Sequence, residues 1–467
     1  MVFTKDFSAL SALNFQASGT CNAERLSWVV VRPRDIQELV LIAKTAQESG
    51  SKIFRLSRLC SQEAILQKID QIENPDFKSA IFLDMSAFNK VIEHVKDDQV
   101  ISVETGITLQ SLAGYLAKAK QWFPASSIFK EDSLLDFIDQ ASGGHHILNF
   151  GGARGVVLGL DVVLSDGTLI KTGGKVVKNV TGYDLTKLLV GGQGIFGIAY
   201  KVNLRLFTKA QKEKLQVFAC DNLRQALILA DNLERLAQRA SGQATVQLID
   251  ARLLLAAMPN WNHLKKENAP AEEAIFRLKA TFKSGSKSQS CLVFFQTMGH
   301  KDVVSQLVGE ASKIAKDIPL WEFEDSSASY LADFASQAAD LLAMSAGAQS
   351  LSITSSKRVI DRLMVDSFDN SGGNSAPYWY CQRLAGKLII AHDRGDLNGW
   401  LNKVRASKEA CALSYSTKEN LYVVEKQESD IDLDDSAKVR QNLISGLKSK
   451  LDPESILNPL HSFRGAK

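Results

Sequence analysis

The sequence predicts an α+β fold: an amino-terminal domain of strands and helices, a second α+β domain, and a closing helix. Three observations predict it. Short apolar runs bounded by turn residues alternate with helical patterns over the first 210 residues or so. Fourteen of the 30 glycines crowd between residues 143 and 197. Beyond about residue 210 glycine thins out and longer helical patterns take over. The bounds expected from these changes are 1–210 for the first domain, then 211–435, then 436–467.

The first unit opens on Trp28-Val29-Val30-Val31, continues in a helix after Asp35, and returns in Lys52-Ile53-Phe54-Arg55-Leu56. Asp35 and Glu38 have capping-box spacing, in which each side chain satisfies an orphan amide at the helix start. Ile36, Leu39, Val40, Ala43 and Ala46 mark its apolar face. Ile81 to Asp84 and Val100 to Glu104 imply a second α/β layer, followed by a helix burying Leu109, Leu112, Ala113, Leu116 and Ala117. Between Val156 and Ile170 two apolar runs flank Ser165-Asp166-Gly167-Thr168; Asp-Gly at such a place fits a tight hairpin, because glycine tolerates positive φ. Tyr183 to Val190 reads as helix. Ile198, Tyr200, Val202, Leu204 and Leu206 alternate with mostly polar neighbours and read as a strand with one buried face.

The second domain shows a helix around Leu223 to Leu236 and strands at Cys291 to Phe295 and Lys387 to Ile390. Polar connectors at 259–272, 284–289 and 369–377 separate them, which suggests a modest α+β sandwich. An acidic stretch, 428–435, precedes a last helix with Val439, Leu443, Leu447 and Leu451 at four-residue spacing, expected to dock by that face.

Composition excludes several classes of function. Basic and acidic residues nearly balance, 55 against 52, without a long basic tract, so nucleic acid is not an expected partner. No run approaches the roughly 18 apolar residues of a membrane span, and the amino terminus lacks a signal-peptide pattern, so a cytoplasmic location is expected. The six cysteines lie far apart with no CxxC, which argues against an iron–sulfur cluster or structural zinc in this chain. No histidine pair or local Ser/His/Asp arrangement supports a metal or hydrolytic site.

The glycine cluster points to backbone that closely approaches a ligand such as a diphosphate or flavin, with tight hairpins and close packing as the alternative. Gly192-Gln193-Gly194-Ile195-Phe196-Gly197 matches GxGxxG, but a Rossmann loop follows a strand and opens a helix. Here helix precedes and strand follows, which argues against a nicotinamide cofactor held in that way.

Gly173-Gly174, Lys178-Asn179, Gly182-Tyr183-Asp184-Leu185, and Leu188 through Gly191, Gly194, Gly197 and Ile198 form a specific pattern. On these residues the chain resembles the FAD-linked oxidases with a vanillyl-alcohol-oxidase (PCMH-type) FAD-binding domain, and especially the FAD-binding E subunit of glycolate oxidase (glycolate dehydrogenase). Gly151-Gly152-Ala153-Arg154-Gly155 and Leu451-Asp452-Pro453 to Leu457-Asn458-Pro459 extend the likeness. The resemblance implies a two-lobed FAD domain, with lobes of about 1–105 and 106–210, an α+β (ferredoxin-like) cap and a tail that returns to the FAD domain. It also implies FAD as cofactor, a small 2-hydroxy acid of the glycolate or D-lactate class as substrate, and a hetero-oligomer with a catalytic flavin subunit and an iron–sulfur subunit. Through such partners the protein would be peripheral to a membrane.

Carried over residue by residue, the implied FAD contacts are Gly143, Gly144, Gly151, Gly152, Gly194, Gly197 and Ile198, with Lys178 near phosphate. Tyr183 and Asp184 are expected to anchor the loop, and His145-His146 to pack rather than to attach flavin. The chain departs from the family where a glycine-rich loop cradles the diphosphate: Arg55-Leu56-Ser57-Arg58-Leu59-Cys60-Ser61 contains no glycine. Arg55, Ser57 and Ser61 would then meet phosphate by charge and hydroxyl. The alternative reading is a non-catalytic scaffold subunit with a degenerate diphosphate loop.

Overall fold

In the computed structural model the uninterrupted apolar run Val29 to Val31 is buried and forms the end of strand β2 (Leu26–Val31). The structure describes all residues except 1–14, 22–25, 57–78, 126–131, 142, 177–182, 241–243, 262–290, 344–348, 369–376, 386, 393–396, 398–411, 418–434 and 459–467. The chain divides into two units. Unit 1 is Met1–Gly143, Gly152–Thr208 and Lys426–Lys467; unit 2 is Gly144–Gly151 and Lys209–Glu425.

In unit 1, β2 lies beside β1 (Phe15–Cys21) on one side and β4 (Ser79–Leu83) on the other, and β4 lies beside β3 (Lys52–Arg55). The β2–β4 and β4–β3 pairs are parallel. Parallel strands need a crossover, and helix α1 (Ile36–Ser49) lies between β2 and β3 in the chain. Asp35 caps it, accepting from the Glu38 amide at 2.9 Å. Only half of the expected capping box forms: the Glu38 carboxylate accepts from the Arg34 amide at 2.8 Å and from its guanidinium, a stronger donor than the Asp35 amide.

A second sheet of unit 1 is wholly antiparallel. It orders β5 (Val91–Val95), β6 (Val100–Glu104), β10 (Ile198–Arg205), β8 (Val157–Val163) and β9 (Leu169–Gly173). Between β8 and β9 the expected hairpin turn forms, with the Leu164 amide donating to Thr168 O at 2.9 Å and Gly167 at φ +81°. A two-stranded ribbon pairs β7 (Gln121–Trp122) with β11 (Phe207–Thr208). Helix α2 (Leu109–Ala117) buries Leu109, Leu112 and Leu116. Ala113 and Ala117, expected on that face, are exposed; the three leucines alone form a sufficient stripe. Helix α3 (Leu134–Asp139) is buried along its whole length.

Unit 2 is built on one eight-stranded antiparallel sheet with helices layered on it. Strands β12 (Lys212–Cys220), β13 (Ala244–Asp250), β14 (Cys291–Gly299) and β15 (Leu320–Glu324) take the order β15-β12-β14-β13. Strands β16 (Gln349–Thr354), β17 (Tyr378–Gln382), β18 (Lys387–His392) and β19 (Ala412–Thr417) take the order β17-β18-β16-β19, joined through the β13–β17 pair. Each half has the strand order of a ferredoxin-like unit. Helices α7 (Leu223–Arg239), α9 (Lys301–Ile314) and α11 (Lys357–Phe368) cover one face, burying Phe218, Val246, Val293, Phe295 and Trp379. Helices α8 (Ala251–Trp261) and α10 (Asp325–Ala343) pack on each other and on the sheet. With both faces covered, β14 is buried from Cys291 to Met298 and its sequence does not alternate. Helix α8 runs on through Trp261, so 259–261 of the expected connector are helical; 262–272, 284–289 and most of 369–377 lie outside the described residues, as does 428–434.

The last helix of unit 1, α12 (Asp435–Leu451), corrects another expectation. Leu443 is 62% exposed, while Lys448 is buried. Its ammonium donates to Ile195 O at 2.6 Å, to Leu457 O at 2.8 Å and to the Asp452 carboxylate. The following tail adds to the edge of β3: the Ile53 amide donates to Ile456 O at 2.7 Å and the Asn458 amide to Ile53 O at 2.8 Å.

Candidate functional site

The site is assembled from the carboxyl end of β3, helix α3, the glycine turn before β10, and the tail. Ser133 caps α3 in a complete capping box with Asp136: the Asp136 amide donates to Ser133 Oγ at 3.2 Å and the Ser133 amide to Asp136 Oδ2 at 3.1 Å. That bonding leaves Asp136 Oδ1 facing Arg55 Nη1 at 3.2 Å, and one turn on Asp139 Oδ2 faces Arg55 Nη2 at 2.7 Å. Both carboxylates are buried and Arg55 is mostly so. Burial pushes the Asp139 carboxyl up to about 6, Arg55 pulls it down, and Asp136 pushes it up again.

Helix α6 (Leu185–Leu189) leads into the glycine turn and β10 leaves it, the reverse of the Rossmann order. Gly191 (φ +83°), Gln193 (φ +52°) and Gly194 (φ +73°) bend the backbone. The tail holds this turn: Asn458 Nδ2 donates to Gln193 O at 2.5 Å while Lys448 holds Ile195 O. Arg55, Asp139, Gly194, Gly197, Ile198 and Asn458 contribute to the wall of a cavity of about 10 Å³, room for one water.

The two glycines of this wall do different work. At Gly194 a Cβ would make only ordinary contacts, 3.8 Å from Asn458 Nδ2 and 3.9 Å from Asp139 Oδ2, so packing does not demand this glycine and its positive φ does. At Gly197 a Cβ would stand 2.4 Å from Val162 Cγ1, so this glycine is required by packing on β8. Gly197→Ala is therefore expected to destabilise unit 1 by about 1–3 kcal/mol through overpacking, read as a lower melting temperature of the apoprotein.

Of the residues singled out in the sequence, the structure brings Arg55, Gly194, Gly197 and Ile198 together at this cavity. Gly143 and Gly152 belong to unit 1 and do not line it; Gly144 and Gly151 belong to unit 2. Ser57, Ser61 and Lys178 lie outside the described residues. Asp184 caps α6, accepting from the Lys187 amide at 3.3 Å, whereas Tyr183 is 96% exposed and anchors nothing there. Sequence reasoning missed Asp136, Asp139, Lys448 and Asn458. The Leu-Asn-Pro tail pattern was the signal for Asn458; the two aspartates carried none, because their role depends on a residue some 80 positions away.

Residues 28–173 match the family model described as FAD binding domain. The cofactor of this chain is FAD. The chain is 33% identical over 172 residues to glycolate oxidase subunit GlcD of Bacillus subtilis, covering 37% of this chain and 34% of that protein. It is 26% identical over 245 residues to a probable mitochondrial D-lactate dehydrogenase of Danio rerio, 52% of this chain and 47% of that one. The chain thus spans a third to a half of the length of these curated relatives. Among solved structures it is similar to alkyldihydroxyacetonephosphate synthase (TM-score 0.64, 15% identity, 93% of this chain and 78% of that one). It is similar also to p-cresol methylhydroxylase (TM-score 0.62, 15% identity, 94% and 89%). The α+β fold is that of the PCMH-type flavoenzymes.

The residues at the cavity fit this cofactor in kind. The left-handed Gly194 turn lines the cavity with backbone that carries no side chain, and Arg55 is a cation able to pair with phosphate. Asp136 and Asp139 compete for the same guanidinium. Asp139→Asn is expected to tighten FAD binding several-fold, read by quenching of flavin fluorescence on titration into the apoprotein. Protonation has the same sign: as pH falls through about 6 the Asp139 carboxyl neutralises, its hold on Arg55 weakens, and wild-type affinity rises toward that of the variant.

Among the described residues no helix is long and apolar enough to cross a membrane.

Proposed function

We propose that this chain is the FAD-binding subunit of an oxidoreductase that oxidises a 2-hydroxy acid of the glycolate or D-lactate class, as the E subunit of a glycolate dehydrogenase does. The observation that carries the reading is the match of residues 28–173 to an FAD binding domain. Relatives named as a glycolate oxidase subunit and D-lactate dehydrogenases support the substrate class. When bound, FAD supplies a two-electron acceptor for the hydride of a hydroxyl-bearing carbon. Arg55 neutralises phosphate charge, the Gly194 turn admits the cofactor to the backbone, and Lys448 and Asn458 keep that turn in place. A catalytic flavin subunit and an iron–sulfur subunit are the proposed partners.

The test is anaerobic: the FAD-loaded chain is mixed with glycolate or D-lactate and the absorbance near 450 nm is followed, alone and with co-purified partners. Bleaching by a 2-hydroxy acid supports the reading. Stable absorbance with every partner present overturns it.

A second reading has its own observation. Arg55 is already neutralised by two buried carboxylates, as in a scaffold subunit whose fold outlasts its flavin. A chain that stays colourless after mixing with FAD would favour it.

A further inference from the structure

The cysteines lie far apart in the sequence, yet the unit 2 sheet sets two of them side by side. Cys220 is the last residue of β12 and Cys291 the first of β14, and the antiparallel register of these strands pairs them directly. Directly opposed residues project from the same face of a sheet. Both side chains lie in the apolar cluster that α7 and α9 cover, 1% and 4% exposed, and both are free thiols. Cys381 of β17 is a third free thiol in this cluster, but its register partners are Leu248 and Leu388.

Opposed residues of an antiparallel pair have Cα atoms about 4.5 or 5.5 Å apart, and both values fall inside the roughly 4.4–6.8 Å that a disulfide spans. Their Cβ atoms stand about 4.5–5.5 Å apart, against about 3.5–4.5 Å in the bond. The ranges meet, so a bridge closes with a small shift of the strand ends and no change of register. A metal is not the alternative. Asp250 is next in the row, opposite Cys291, but Arg252 Nε takes its carboxylate at 3.0 and 3.1 Å, and no metal-holding group of three such side chains occurs among the described residues. Burial raises both thiols: Cys220 to about 12, with Asp221 adding to the rise, and Cys291 with Asp250 and Cys220 adding and Arg252 opposing. The closed sheet therefore keeps them protonated and unreactive. Both stand at strand ends, Cys220 beside exposed Asp221 and Asn222, where a sheet opens at least cost. Opening returns a thiol to its ordinary range, about 8.5.

We propose that Cys220 and Cys291 form a modification site, at which a small peroxide closes a reversible cross-strand disulfide. With hydrogen peroxide, one thiolate of the opened strand end attacks a peroxide oxygen; the O–O bond breaks, hydroxide leaves and a sulfenic acid forms. The second thiolate attacks that sulfur; the S–O bond breaks, a second hydroxide leaves and the S–S bond forms. The two hydroxides take up the two thiol protons. Two thiols and one hydrogen peroxide thus give one disulfide and two waters, and two electrons pass from sulfur to oxygen. Hydrogen peroxide fits because it is little larger than water, whereas a bulky disulfide reagent would have to enter the apolar cluster. The bridge joins the strand that leads into α7, capped by Asn222, to the start of β14. Reclosure of the sheet buries the bond, so a reductant needs the same opening to reach it. No residue of the flavin site takes part.

The experiment uses the full chain, freed of reductant and treated with hydrogen peroxide. Remaining thiols are alkylated in denaturant, and the protein is digested without reduction and read by mass spectrometry. One peptide pair joined through Cys220 and Cys291 is expected, lighter than the two reduced peptides together by two hydrogen atoms and separated by dithiothreitol. It is expected to be at least ten-fold more abundant than any link to Cys381. Cys220→Ala and Cys291→Ala each remove it. The linked wild type is expected to unfold at a higher urea concentration than the reduced protein, because the bridge constrains a long loop of the unfolded chain, and dithiothreitol restores the original midpoint. Both thiols still free at the highest peroxide concentration that leaves the protein folded, links scattered among the other cysteines, or a linked form no more resistant to urea overturns the proposal. The link is read on the wild type, so the result stands even where an alanine variant does not fold.

Discussion

Lys448→Met lowers the stability of unit 1 by an expected 3–5 kcal/mol or so, the usual cost of removing one partner from a buried ion pair. The substitution keeps the length of the side chain and its apolar stem, so the loss isolates the ammonium. Without it the fully buried Asp452 carboxylate loses its cation, and Ile195 O and Leu457 O lose their donor. Asp452 keeps the amides of Ile456 and Leu457, each at 2.8 Å, so the tail turn persists while its attachment to the glycine turn fails. Burial already holds the Lys448 ammonium below its ordinary range, with Asp452 opposing. For a unit of this size the loss corresponds to a melting transition lower by about 6–20 °C, and FAD affinity should fall with it because the Gly194 turn is released. Calorimetry of the apoprotein and a flavin titration check the two parts. An unchanged transition would show that the lysine is only a solvated end of the helix.

Arg383→Met should have an effect of similar size, about 3–5 kcal/mol, confined to unit 2. Arg383 is 1% exposed and follows β17 beneath α7 and α11. Its guanidinium meets Asp361 at 2.7 and 3.0 Å, Asp231 at 2.6 Å and the Leu227 carbonyl at 3.2 Å, with Glu234 at 3.8 Å. Lys357 joins Asp231 and Glu234 at 2.8 Å each. Removing the arginine leaves two helices carrying three carboxylates against one lysine. Glu234 is the most exposed to the change in energy: burial raises its carboxyl, and Arg383 and Lys357 pull it back. Denaturant unfolding followed through tryptophan emission, with Trp379 in the adjoining apolar cluster, reads the loss; Arg383→Lys should recover only part of it, since a point charge cannot bond Asp361 with two parallel N–H groups.

Local chemistry was legible in the sequence and tertiary partnership was not. The Asp166-Gly167 turn and the Asp35 cap are decided by the residues at those positions, and both form as read. The second half of the α1 capping box fails because Arg34 competes for Glu38. The leucine spacing in α12 suggested a docking stripe, yet the buried side chain is Lys448; the carbonyls that make this tolerable come from residues 195 and 457. The glycine cluster was read as ligand-facing backbone or as packing, and the structure divides it, Gly194 needed for its left-handed φ at the cavity wall and Gly197 pressed on Val162. Arg55 was singled out for phosphate; that Asp136 and Asp139 would hold it depends on α3 lying against the end of β3, which no spacing reports. Nor did any pattern assign residues 144–151 to unit 2, since the chain leaves unit 1 for eight residues and returns.

The central claim is that FAD is held at the cavity where Arg55 meets the Gly194 turn. It is tested most directly by the FAD dissociation constant of the purified chain and of its Arg55→Met variant, measured by flavin fluorescence at one pH and ionic strength. One FAD per chain is predicted, with binding weakened ten-fold or more in the variant, as expected for loss of a charge-assisted bond worth about 1.5–3 kcal/mol. Equal affinity of the two proteins, or no binding by either, would contradict it.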